Sequence, residues 1–499
     1  MPKTYDLIIR DVEMFDGMGS DPTHCDVGVE QDRISVIGTL ENVTATTEIS
    51  GAGKSLSPGF IDVHTHDDFA ALAQPDMGFK SKGGVTTCIV GNCGYGAAPF
   101  AAAKTMLGKL TPEFDIEPYE GHAGYADAVE ESRPGVNIGV LAGHGTFRLA
   151  AVGNDDRPPS DKEMTVMKSY MAEALDAGVL GLSSGLIYEP GKYAQTDELI
   201  ELCGTMEGSG ALYATHIRNE GSGLLDAVGE AITIGAKARV PVQISHHKAM
   251  GRENWGLVDH SLELIVASQG RGESVHADQY PYTAGSTSLR AIIDNGAFTS
   301  SESSGGFGLL GAQDVIVASC HRHPEYEGKS IAELSAEMSL SPRDTAIAVA
   351  DSSPGTTAIL HVMSEDDVQT VLRHPSTMIG SDGLPTLSGK PHPRLYNTFA
   401  RVLGHYARDL GLMDMSTAIH RMCGFPAKKF GLTHRGVIEE GAFADLVLFD
   451  SKTLLDKGTI ENPNHFPSGI DRVIVNGVTT VQNGQLVGSR AGRLLKRQT

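Results

Sequence analysis

Paired cysteines, long apolar runs and basic stretches are all scarce in this 499-residue chain, and each shortage closes off a class of protein. Its six cysteines (Cys25, Cys88, Cys93, Cys203, Cys320 and Cys423) show no CxxC-type spacing, which argues against a disulfide framework. No run approaches the roughly 18 apolar residues of a membrane helix. The opening "MPKTYDLIIRDVEMFDG" has no apolar stretch of signal-peptide length. These absences lead to the expectation of a cytoplasmic globular protein. Lysine and arginine total 40 against 62 acidic residues, a net charge of −22. That balance disfavours nucleic acid and anionic membranes as partners, because both are recognised through basic patches.

What is present is patterned. The first fifty residues and the last sixty alternate apolar and polar side chains between Gly and Asn turns, which reads as antiparallel sheet. Between them, short apolar runs that end in a polar residue alternate with helix-period stretches. In "MTVMKSYMAEALDAG", for example, Met164, Met167, Met171, Ala174 and Leu175 share one face. The runs are "GFIDVHTH", "TTCIVGNCG", "NIGVLAGHG", "GVLGLSSG", "ALYATH", "VPVQISHH", "SVHADQYPY" and "STMIGSDG". Eight strands alternating with helices predict an α/β fold, a (β/α)8 barrel. The expected division is a β-sandwich from residues 1–57 and 426–499 around a barrel at 58–425. The interval between Tyr280 and Asp382 is too long for one βα unit, so an insertion is expected at about 286–350, before the last barrel strand. It contains "TSSESSGGFG" and is a candidate lid.

Barrel enzymes carry their sites at the C-terminal strand ends, and chemically capable residues collect there. His64 and His66 are one residue apart, so an extended strand points both to the same side. His216 closes the fifth run, His246 the sixth and Asp382 the eighth. Any one of these histidines alone reads as a structural group. As a set at successive strand ends they predict a metal site, since imidazole and carboxylate are zinc ligands. Of the pair His246-His247 only one ring easily faces the mouth. His144 at the third run either faces substrate, supports a ligand, or makes a structural hydrogen bond.

At this point the motifs resemble a known group. "LSPGFIDVHTH" with "GAFADLVLFD" looks like the metal-dependent amidohydrolase superfamily, whose members use one or two divalent metals in a barrel flanked by a β-sandwich. More narrowly, "HTHDDF", "GNCGYG", "GHGTFR", "YATHIRNEG", "ISHHKAMG", "YPYTAGST", "GSDGLP" and "PHPRL" resemble the N-acyl-D-amino-acid deacylases (D-aminoacylases), with matches from residue 58 to residue 395. Many superfamily members bridge two metals with a carbamylated lysine at the end of strand four. Here that run ends in Ser183 and Ser184, and the resemblance passes the bridging place to Cys93. Metal binding deprotonates a thiol, and thiolate is a strong zinc ligand. By the same resemblance Cys93, His216 and His246 hold a tight Zn2+, and His64, His66 and Asp382 form a weaker or partly occupied second position. The motif favours His246 over His247 as ligand.

The activity implied is hydrolysis of an N-acyl-D-amino acid to a carboxylate and a free D-amino acid, with a small-molecule substrate as the partner. Asp382 is the expected general base, accepting a proton from the attacking water and passing it to the leaving nitrogen. A free α-carboxylate needs fixed cations and donors. Lys248 lies two residues beyond His246, Arg394 follows Asp382, and Tyr280 ends the seventh run; by the resemblance to the deacylases these residues grip the α-carboxylate. Tyr188 matches a further site tyrosine. The resemblance, not the spacing, supplies the D hand. Arg290 is a candidate partner for an acidic substrate side chain, although the D-glutamate enzymes are expected to carry theirs at a position near Ile293. With the acidic net charge, apolar D-side chains are favoured. The alternatives are an N-acyl-D-glutamate or D-aspartate deacylase, or an amidohydrolase of cyclic amides or dipeptides; the missing strand-four lysine counts against cyclic amides. A catalytically silent protein on this fold would have lost a ligand or the base, and neither is missing.

Overall fold

The computed structural model describes residues 4–111, 113–298, 306–386 and 388–497. Among these residues each of the eight apolar runs forms a barrel strand. They are β1 (Phe60–Asp62), β2 (Val85–Val90), β3 (Asn137–Gly143), β4 (Gly181–Gly185), β5 (Leu212–His216), β6 (Val242–Ile244), β7 (Val275–Gln279) and β8 (Thr377–Ile379). Neighbours pair in parallel in chain order, β7 joining β8 across the long interval. A bridge between Thr65 and Gly383 closes the ring. At that seam the Lys80 ammonium donates to Asp62 and to Ser381 Oγ at 2.8 Å each, while Ser381 Oγ donates to Asp62 at 2.6 Å.

The strands are buried on both faces, as a parallel sheet covered by helices must be. Ile61, Val63, Ile89, Leu141, Leu180, Leu212, Ala214 and Met378 fill the barrel, and Phe430, Leu432 and Leu495 join the same cluster. The helix Asp161–Ala177 buries Met164, Met167, Met171 and Ala174, with Leu175 only half-buried at the edge of the stripe. Ser160 and Glu163 form a reciprocal capping box at its start, and Gly178 at φ 93° ends it.

The two chain ends build one continuous nine-stranded sheet. Strand Ser55–Pro58 joins the halves, pairing with Thr4–Met14 on one side and Leu446–Phe449 on the other. Part of the basic tail leaves this sheet. Leu494 and Leu495 add a short parallel strand to β3, opposite Ile138 and Gly139, because two leucines gain more from the barrel core than from an exposed sheet edge.

Between β7 and β8 lies a small antiparallel sheet of Gly285–Ser288, Thr357–Leu360 and Val315–Ser319. Its core of Leu289, Ile292, Val315, Val317, Val349 and Leu360 continues into Ile187, Met250 and Tyr280 at the barrel mouth. Most of the "TSSESSGGFG" stretch, residues 299–305, lies outside the described residues.

Candidate metal centre

The site is organised around a turn. After β2 the chain reverses through Asn92–Gly94, with Gly91, Cys93 and Gly94 in the left-handed region at φ 83°, 54° and 77°. Cysteine at positive φ is strained, and such strain persists where surrounding contacts over-determine it. Those contacts come from β4. Ser183 Oγ accepts from Gly94 N at 2.9 Å and donates to the Gly91 carbonyl. A Cβ on Gly185 would lie 2.1 Å from the Cys93 carbonyl oxygen. The end of β4 is therefore filled by the turn that carries the thiol, with no room there for a long side chain.

Imidazoles converge on Cys93 Sγ from three strand ends: His64 Nε2 at 3.4 Å, His216 Nδ1 at 3.7 Å and His246 Nε2 at 3.5 Å. On the His64 side, Asp382 Oδ1 lies 3.4 Å from His64 Nε2 and 3.3 Å from His66 Nε2. All six residues are buried. His246 (φ 35°) and Asp382 (φ 50°) share the left-handed conformation of Cys93, so three members of the cluster sit in strained backbone. Burial pushes the Cys93 thiol up, but His64 and His246 outweigh it and hold the pKa well below the usual value. For Asp382 burial also acts upward, and is overcome by Arg394 and then His246, leaving the carboxyl well below its ordinary range.

These spacings fit divalent ions. A tetrahedral ion about 2.05 Å from nitrogen and about 2.3 Å from sulfur separates those donors by about 3.6 Å, and nitrogen from carboxylate oxygen by about 3.4 Å. The observed sulfur–nitrogen and nitrogen–oxygen separations match these values, and the donor sets close enough together to share an ion are His64, Cys93 and His246; His64, His66 and Asp382; and His216, Glu220 and His246. A thiolate with imidazoles suits a borderline-soft ion such as zinc.

The carboxylate-binding candidates converge on the same place. Arg394, 1% exposed, meets Asp382 Oδ2 through Nη2 at 2.9 Å and stacks over the Tyr280 ring at 4.5 Å. Its Nε and Nη1 are buried without a hydrogen-bond partner among the described residues. Lys248 Nζ lies 5.6 Å from the centre of the same ring. Burial favours the neutral amine of Lys248, but Glu220 reverses that and keeps it a cation. The Tyr188 ring packs edge-on against His216 at 4.8 Å, and its hydroxyl meets Thr287 Oγ1 at 3.3 Å.

Two candidates are placed differently. His144 bonds Glu198 (Nε2 to Oε1, 2.8 Å), whose other oxygen accepts from Arg148 at 2.5 Å, so one edge of its ring belongs to a buried structural triad, while Nδ1 has no hydrogen-bond partner among the described residues. Arg290 has an exposed side chain tied to Asp294 at 3.1 Å and Asp351 at 3.0 Å, because the short helix Leu289–Asp294 turns it outward beside two acids. His247 faces away from the cluster, bonds Ser261 Oγ at 2.8 Å, and is driven down to about 4 mainly by burial.

Two carboxylates escaped the reading of the sequence. Asp278 on β7 accepts from His246 N at 2.8 Å and faces His64 Nδ1 at 3.3 Å, on the ring edge opposite Cys93. Glu220 on the loop after β5 faces His246 Nδ1 at 3.1 Å, His216 Nε2 at 3.5 Å and Lys248 Nζ at 2.5 Å. Their signal was modest: an acid four residues after His216, and an acid inside an otherwise buried strand.

A barrel whose mouth gathers a thiolate candidate, four imidazoles and a carboxylate defines the class of metal-dependent amidohydrolases, and the amidohydrolase family pattern matches residues 310–481. The chain is 40% identical over 494 residues to a D-aminoacylase of Alcaligenes xylosoxydans xylosoxydans, covering 99% of this chain and 98% of that one. It superposes on a solved D-aminoacylase with a binuclear metal centre at a TM-score of 0.89, with 38% identity and coverage of 99% and 100%. The N-acyl-D-glutamate deacylase of Bordetella bronchiseptica, solved with zinc and a phosphonate mimic of the tetrahedral intermediate, gives 0.90, 36% identity, and coverage of 99% and 100%. This chain belongs to the N-acyl-D-amino-acid deacylase family of the amidohydrolase superfamily.

Proposed function

We propose that this protein is a zinc-dependent deacylase of N-acyl-D-amino acids with a preference for apolar D-side chains. The observation that carries the reading is Arg394: a fully buried guanidinium with two donors that have no partner among the described residues, held beside the candidate general base and over Tyr280. Buried unpaired donors are costly, and a substrate carboxylate supplies the missing acceptors in the fork geometry that arginine favours. Lys248 and Tyr280 complete the clamp. With the α-carboxylate there and the acyl carbonyl over the ligand cluster, the two hands at the α-carbon send the side chain in different directions, and the D hand is the one accommodated.

His216, His246 and Cys93 would hold one ion, and His64, His66, Cys93 and Asp382 a second. Zinc, when bound, supplies Lewis-acid polarisation and an activated water. Asp382, kept ionised by Arg394 and His246, takes the proton of the attacking water and delivers it to the leaving nitrogen. The apolar preference is supported by Arg290, whose exposed side chain pairs with Asp294 and Asp351, and by Ile187 and Met250, buried beside Tyr280 at the mouth.

The test is amino-acid release by zinc-loaded protein from matched D and L forms of N-acetyl Leu, Met, Phe, Glu and Asp. Release from the D forms of Leu, Met and Phe is expected. Release from D-Glu or D-Asp alone would overturn the side-chain preference, and cleavage of the L forms would overturn the handedness.

A further inference from the structure

Glu220 touches more of the candidate machinery than a supporting carboxylate needs to. Its main chain is fixed from both sides: the amide donates to Gly306 O at 2.9 Å, and the carbonyl accepts from Met250 N at 2.7 Å. Its side chain is 1% exposed. Oε1 faces His246 Nδ1 at 3.1 Å and Lys248 Nζ at 2.5 Å, and Oε2 faces His216 Nε2 at 3.5 Å. In both imidazoles these nitrogens lie across the ring from the one that meets Cys93.

His246 Nδ1 has a second suitor. Lys248 Nζ lies 2.9 Å from it and 2.8 Å from the His246 carbonyl. An ammonium only donates, so a bond from Lys248 to Nδ1 requires the ring proton on Nε2, the atom facing Cys93. A ring in that tautomer has no lone pair to offer a metal. A carboxylate only accepts, so a bond to Glu220 requires the proton on Nδ1 and leaves Nε2 free as a ligand. With Glu220 as the partner of Nδ1, Lys248 spends two hydrogens on Glu220 and the His246 carbonyl and keeps the third for an incoming carboxylate.

We infer that Glu220 is a positioning residue that selects the metal-ligating tautomer of His246 and, through the same oxygen, holds Lys248 for the substrate carboxylate. Metal binding and substrate binding then share one carboxylate, and filling the metal site releases a hydrogen of Lys248 to the clamp. The inference rests on the function proposed above and deepens it.

The experiment measures zinc affinity by chelator competition, alongside KM and melting temperature, in the full chain. Glu220→Gln keeps the side-chain shape but replaces an acceptor-only carboxylate with a neutral amide that can donate as well as accept, so Nδ1 is no longer held protonated against Lys248; zinc affinity is expected to fall 10- to 100-fold, the size of effect seen when such orienting partners are lost, and KM is expected to rise. The double variant Glu220→Gln/Lys248→Met removes the competing donor, so zinc affinity should recover most of the loss while KM stays high. Unchanged zinc affinity in Glu220→Gln with an unchanged melting temperature would overturn the inference. Equal zinc loss in the single and double variants would do the same, because a structural role predicts no recovery. Failure of the unaltered chain to bind zinc would instead bring down the metal reading on which the inference stands.

Discussion

Replacing Cys93 by alanine takes away the sulfur that three imidazole nitrogens approach at 3.4, 3.7 and 3.5 Å. Structural zinc in four-donor protein sites is bound with apparent free energies on the order of 10–16 kcal/mol. A thiolate carrying a quarter of that is worth about 2.5–4 kcal/mol, or roughly 10²- to 10³-fold in affinity. The fold should lose much less. The side chain is small, and the cavity left by one sulfur costs on the order of 1 kcal/mol. The backbone offers a control, because φ is 54° at this position. Cys93→Gly removes the same sulfur in a residue that tolerates left-handed backbone, so it is expected to melt at or above Cys93→Ala while binding zinc equally poorly. The assay is zinc content after dialysis against a calibrated chelator, with thermal melting of the same samples. Full zinc retention by Cys93→Ala would refute the shared-ligand reasoning. Loss of zinc together with loss of the cooperative melt would assign the effect to unfolding instead.

Asp382→Asn is expected to keep tight zinc on the Cys93, His216 and His246 side while turnover drops about 10²- to 10⁴-fold, because an amide cannot accept the proton; near-normal kcat would move the base elsewhere. Glu198→Ala strands the fully buried Arg148 and His144 without their acid, and should cost about 3–5 kcal/mol in chemical denaturation; a change under 1 kcal/mol would refute the structural assignment of His144. Burial, then Lys429, lower His276 to about 3 from 6.5. The unfolded chain takes up a proton near 6.5 that the folded chain refuses until about 3, so stability rises with pH across that window and is lost as pH falls through it. His276→Gln should therefore flatten the decline of melting temperature below pH 6.5, and an unchanged slope would count against this.

Local pattern alone was enough for several features. The eight buried runs became β1 to β8, and the methionine stripe of Asp161–Ala177 faces inward, because strand and helix periods are written in neighbouring residues. Placing His64, His66, His216, His246 and Asp382 together needed only the rule that parallel strands deliver their C-terminal ends to one mouth. The rest was decided by closure of the ring and by loops from strands that are not neighbours. Glu198 claims His144 from 54 positions away, and Asp351 claims Arg290 from 61. Glu220 is within four residues of His216, but its contact with His246 and that of Asp278 with His64 cross from one strand to another, so no spacing along the chain reports those two. A carboxylate in the sequence declares its charge; which buried cation or imidazole it satisfies is set by desolvation and geometry that exist only once the barrel has closed.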